Sequence, residues 1–138
     1  MKLKTFLFLA ILTFKITYNQ AQISNFKEKF ELPEKVKETS GLLFLDGKII
    51  THNDSGNDAN LYEIDSLSGT ILRTISIANA TNIDWEDLTE NDTHLFVADI
   101  GNNNGNRQDL KIYTILKSDF KNNNSVSAEV ISFSYEDQ

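Results

Sequence analysis

The sequence holds no cysteine, one proline, six glycines and two histidines in 138 residues. Without cysteine there are no disulfides and no zinc–thiolate site, so stability rests on packing and strand pairing. His52 and His94 are not at ligand spacing, which argues against an imidazole metal centre. No glycine-rich phosphate loop is present. The run Asn102–Asn106 is rich in Asn and Gly, but it joins one strand to another and opens no helix. Ser55 lacks the G-x-S-x-G elbow of esterases. Asp54-Ser-Gly56 and Asp99-Ile-Gly101 echo the two halves of an aspartic protease, yet Asn53 stands where those enzymes carry an apolar residue. EF-hand spacing fails as well, because Gly101 takes position three of a loop that opens at Asp99 and no Glu closes it.

Basic residues are also scarce. The chain has 13 Lys and Arg against 20 Asp and Glu, a net charge of −7. Three of those lysines, Lys2, Lys4 and Lys15, lie in the first 21 residues, which hold no acid. Phe6 to Phe14 between them is apolar but for one threonine, and Ala21 supplies a small residue for cleavage. This is the grammar of a secretory signal, and the run is shorter than the ~20 residues a membrane span requires. A secreted or periplasmic protein is expected, with no stable membrane span once residues 1–21 are removed. Ten basic residues then face 20 acidic ones, a net charge of −10. Such a surface repels nucleic acid and is compatible with cations.

What is present in quantity is β signal. Residues 22–37 are charged and weakly patterned, with one short strand expected at Phe26–Leu32. Gly41–Leu45 and Lys48–Thr51 flank Asp46-Gly47, a strong hairpin cue. Leu61–Ile64 and Thr70–Ile77 complete a four-stranded unit over residues 38–80. The pattern recurs over 81–138: Trp85–Thr89, a turn at Asn91-Asp92, His94–Ala98, Leu110–Leu116 and Val126–Tyr135. Asp54-Ser-Gly-Asn57 matches Asp99-Ile-Gly-Asn102 at an offset of about 45 residues, within the period of four-stranded propeller blades.

The expected fold is therefore all-β: two four-stranded antiparallel blades of an incomplete β-propeller. A sheet with apolar residues on both faces needs neighbours on both sides, and propellers carry four to eight blades. The sequence reads as a piece of a longer protein, and the Phe26–Leu32 strand as the closure of a missing last blade. A small sandwich of about eight strands is the competing reading.

Glu38-Thr-Ser-Gly-Leu42, His52-Asn-Asp-Ser-Gly56, Leu61-Tyr-Glu-Ile-Asp65, Asp84-Trp-Glu-Asp-Leu88 and Ala98-Asp-Ile-Gly-Asn-Asn103 resemble a group of secreted bacterial β-propeller proteins. Their ordering is similar to the SdiA-regulated propeller family and, more distantly, to esterase-like phytase propellers. The resemblance covers about residues 38–116 and implies further blades; it implies little about activity.

The residues with chemistry gather around the second-strand ends. His52, Asn53, Asp54 and Trp85 are the candidate ligand contacts, and His52 beside Asp54 is the best acid–base pair. Asp84, Glu86, Asp87, Asp99 and Asn102 are candidate ligands of Ca²⁺, which takes six to eight oxygens. The bland alternatives are turn-forming Asp and Asn, and a Trp85 wedged between blades. The expected function is a binding module for an extracellular ligand or small molecule, with a Ca²⁺ site. The rival is a metal-dependent phosphoester or lactone hydrolase using Asp84, Glu86, Asp87 and Asp99.

Overall fold

The computed structural model describes residues 27–136. The expected signal segment, and Phe26 at the start of the expected first strand, lie outside them. Residues 27–32 form no strand; a 3-10 turn at Glu34–Val36 follows Pro33 instead. Here the chain covers rather than pairs: Leu32 and Val36 pack on Tyr62, Ile64, Ile49 and Ile71.

Nine strands and one short helix follow. β1 (Thr39–Leu45), β2 (Lys48–Asn53), β3 (Asn60–Asp65) and β4 (Ile71–Ile77) form an antiparallel meander. β5 (Trp85–Glu90), β6 (His94–Asp99), β7 (Leu110–Leu116) and β9 (Glu129–Phe133) form a second one. Between β7 and β9 come α1 (Lys117–Asn122) and the two-residue β8 (Ser125–Val126). β8 adds to β4 in parallel, so the first sheet has five strands in the order β1-β2-β3-β4-β8. The fourth strand expected at Val126–Tyr135 is thus divided between the two sheets. Ala128 is anchored at the crossing, its N–H donated to Asn79 Oδ1 and its carbonyl accepting from Asn79 Nδ2.

The hairpins keep a strict repeat. The first turn places Asp46 and Gly47 at positive φ, 49° and 80°, the conformation an Asp-Gly turn supplies. Adding 46 to both residues of every β1–β2 pair from Thr39↔Asn53 to Phe44↔Ile49 gives every β5–β6 pair from Trp85↔Asp99 to Glu90↔Leu95. Even the bulge recurs, at Ser40 and at Glu86. The period is one longer than the sequence match suggests. Asp99 is therefore the counterpart of Asn53, on a strand, and not of the loop residue Asp54; the second turn centres on Asp92 and Thr93, not on Asn91 and Asp92.

One core lies between the sheets. Leu45, Ile50, Leu61, Ile75 and Ile77 pack against Trp85, Leu88, Leu95, Val97, Tyr113 and Ile115. The faces in contact are not equivalent. Ile50 of the first sheet points at the second, whereas its counterpart Phe96 points away from the first; Leu88 points inward and its counterpart Leu42 outward. The sheets stack front to back, as repeats do, rather than front to front.

β1 and β5 approach closely. A Cβ on Gly41 would lie 2.8 Å from Leu88 and 3.0 Å from the Asp87 backbone, so only glycine fits. Away from this seam α1 inserts Phe120 into the core. Among the described residues no helix is long and apolar enough to cross a membrane.

Candidate metal centre at the sheet junction

The seam ends in a tied pair of loops. Asn82, buried, donates from Nδ2 to the carbonyls of Asn53 (2.9 Å) and Asp54 (2.8 Å), and its Oδ1 accepts from the Trp85 N–H. Ser40 Oγ donates to the Trp85 carbonyl at 2.7 Å. These bonds hold the end of β2 against the entry to β5. Asp54 and Asp84 consequently stand side by side, and the β5 bulge brings up Glu86.

Asp54, Asp84 and Glu86 each offer a carboxylate oxygen within 4.8 Å of the others, and together they could hold a metal ion. Gly101 forms the wall beside them: a Cβ there would collide with the Asp84 carboxylate and with Glu86 Oε1. Its N–H donates to the Asp84 carbonyl at 3.0 Å. Burial raises the Asp84 carboxyl above its ordinary pKa, and the neighbouring Asp54 and Asp99 charges add to the rise. Glu86 is raised by burial and then by Asp84 and Asp54. Three anions press on one another here, and a cation relieves that pressure.

Asp99 supports the site from behind. It is fully buried, and its Oδ1 accepts from the Asp84 N–H (3.0 Å) and from Arg107 Nη1 (2.9 Å). Its Oδ2 has no hydrogen-bond partner among the described residues. Arg107 also donates from Nη1 to the Gly101 carbonyl and from Nε to Asp109. Asn102 shapes this loop, its Oδ1 accepting from the N–H groups of Asn106 and Arg107 at 2.9 Å each. Asp87 lies on the opposite side of β5 and accepts from the Leu88 N–H. Of the five expected metal ligands, two, Asp84 and Glu86, enter the cluster. Asp54, expected as a ligand contact, joins them, and Asp87, Asp99 and Asn102 do other work.

Two further candidates are closed off. Trp85 is fully buried, edge-on to His52 at 5.5 Å and tilted against Tyr113 at 5.9 Å, so it is a wedge between sheets with no open ring face. His52 is also fully buried, its Nδ1 3.0 Å from the Asn53 carbonyl and 3.3 Å from Ser40 Oγ. Burial lowers its pKa and leaves it neutral at neutral pH. It does not face Asp54 as an acid–base pair. Asn53 donates to the Lys35 carbonyl and fastens the N-terminal segment.

Asn82 and Arg107 are missing from the sequence-based set. Each is a single polar residue in a loop, and nothing in its neighbours marks it.

Another cavity, of about 350 Å³, lies between the first sheet and α1 beside Phe120, lined among others by Lys48, Glu63 and Arg73. Its charges are already paired: Glu63 is held by Lys48 at 2.5 Å and Arg73 at 3.0 Å.

Comparison of the chain with protein-family models, with curated proteins and with solved structures finds no match, so its own geometry carries the functional reading.

Proposed function

We propose that this chain is part of an extracytoplasmic β-propeller and works as a binding module, with Ca²⁺ held between two consecutive blades by Asp54, Asp84 and Glu86. The observation that carries the reading is the convergence of three carboxylates from both sheets onto one point. Front-to-back stacking of two sheets in equal register supports the blade assignment. Three carboxylates supply up to six oxygens, the lower bound for Ca²⁺, and Gly101 leaves room for them. An ion in this place pins the loop after β2 to the loop before β5 and fixes the rim that meets an extracellular ligand or small molecule. The signal-like N-terminus supports export.

Binding is favoured over hydrolysis. The one imidazole near the cluster, His52, is walled into the core, so no neutral base stands ready beside a metal-held substrate.

Titration calorimetry with Ca²⁺ tests the proposal. The chain is expected to take up one equivalent and to melt higher in Ca²⁺ than in chelator. Asp84→Asn and Glu86→Gln each remove the uptake, while thermal stability in chelator is kept or raised. No heat of binding, together with melting indifferent to chelator, would overturn the metal reading.

A further inference from the structure

In a chain with 20 acids and 13 bases, one cavity carries a surplus of positive charge. It is the space of about 350 Å³ between the first sheet and α1, and it lies at the turn end of the first hairpin. Asp54 and the acidic cluster lie past the other end of β2. Strand register builds one wall. Leu45 pairs with Lys48, and Ile50, Glu63 and Arg73 form one row across β2, β3 and β4, on the face that Ile50 turns toward the second sheet. α1 supplies the opposite wall with Phe120 and Lys121. The cavity is thus enclosed on the inward side of the first sheet and does not depend on what adjoins either outer face.

Every charged group of the lining touches an opposite one, yet the signs do not balance: Lys48, Arg73 and Lys121 face only Asp46 and Glu63. Glu63, 6% exposed, takes both Lys48 and Arg73. The two Nη groups of Arg73 are occupied: beyond Glu63 they donate to the carbonyls of Phe120 (2.7 Å), Lys121 (3.1 Å) and Asn123 (3.4 Å). Arg73 is a fixed charge that fastens α1 to the sheet. The lysines differ. An ammonium has three donors, and among the described residues each meets one carboxylate, Lys48 that of Glu63 and Lys121 that of Asp46 at 2.7 Å. Both side chains are about half exposed, at 44% and 49%, so their remaining donors reach the cavity mouth. Asp46 registers the excess: Lys121 holds its carboxyl below the ordinary pKa, and Lys117 and Lys48 add to the drop.

We propose that this cavity binds a small organic anion, a monocarboxylate on a short apolar body, whose oxygens accept from Lys48 and Lys121 while the body lies against Leu45, Ile50 and Phe120. The volume falls at the lower end of the roughly 300–1,000 Å³ typical of small-molecule sites, which combine apolar walls with a few placed polar groups. One surplus positive charge matches one carboxylate, whereas a metal cation is repelled and an inorganic anion leaves the apolar wall unused. The site shares no residue with the acidic cluster. Binding therefore persists in chelator, and its failure leaves the Ca²⁺ reading as it stands.

Amide NMR titration of the full chain in chelator tests the proposal, with benzoate as the probe and benzamide as its neutral isostere. Benzoate is expected to give saturable shifts centred on Lys48, Glu63, Phe120 and Lys121, and benzamide none. Two exposed substitutions then act in opposite directions. Lys121→Gln is expected to weaken benzoate about tenfold, the order of one hydrogen bond from a charged donor. Asp46→Asn is expected to tighten it several-fold, because it frees Lys121 while an Asn-Gly turn keeps the hairpin. The spectrum of each free variant shows directly that it is folded, and either variant alone decides the sign. Shifts that do not saturate overturn the proposal, as does benzamide binding as well as benzoate. So does benzoate binding that Lys121→Gln leaves unchanged or that Asp46→Asn fails to tighten.

Discussion

Two carboxylate environments in this protein pull in opposite directions. Asp84 and Glu86, crowded with Asp54 and partly desolvated, have raised pKa values. Burial alone would raise Glu63, but the hydrogen bonds from Lys48 and Arg73 outweigh it and the pKa is lowered. A lowered folded pKa makes the unfolded state the better proton binder, so the Glu63 contribution is present above its unfolded value of 4.5 and is lost as pH falls through the folded value. The raised pair does the reverse: metal-free stability falls as pH climbs through their folded values. Urea titrations in chelator are thus expected to show stability rising out of the acid range and then slipping as Asp84 and Glu86 ionise. The slip disappears in the Asp84→Asn/Glu86→Gln double variant and on adding Ca²⁺. Glu63→Ala, which strands Lys48 and Arg73, is expected to cost about 2–3 kcal/mol, below the usual range for a buried pair because Lys48 keeps contact with water. The acid run Asp84–Asp87 at the entry to a strand identified Asp84 and Glu86 from sequence. It did not separate them from Asp87, because the direction each side chain takes depends on a bulge at Glu86 that no turn residue announces.

The elements of the first sheet are legible from alternation and the Asp-Gly turn, and β1 to β4 fall where those cues place them. The stretch between β7 and β9 is not. α1 spans six residues, too few to show a helical period, and Lys117–Asn122 offers one apolar side chain. That side chain, Phe120, explains the helix. It packs into the core, and Arg73 donates to its carbonyl at 2.7 Å while lying over its ring. Phe120→Ala is expected to cost about 3–4 kcal/mol in urea unfolding, the usual loss for a buried phenylalanine. Trp85 fluorescence is a convenient probe, because the indole lies in the same core.

At the scale of the molecule, the first hairpin of each sheet repeats the other in register but not in surroundings. Leu88 and Leu42 occupy equivalent positions, yet one is buried and the other open. Leu88→Ala is expected to lose about 3 kcal/mol, and Leu42→Ala less than about 0.5 kcal/mol. Denaturant midpoints from urea titrations check both values. The two-unit organisation was readable from matching turns. The period, the parallel strand and the choice of stacking faces were not, because they depend on contacts between units rather than on patterns within them.

The parallel pairing of β8 with β4 also governs timing. Ser125 and Val126 close the edge of a sheet whose other strands end at Ile77, so the first sheet waits for a strand made after β5, β6 and β7. As the chain is synthesised, β4 keeps an open edge until residues beyond α1 have emerged, and that interval is when a holding chaperone has something to grip.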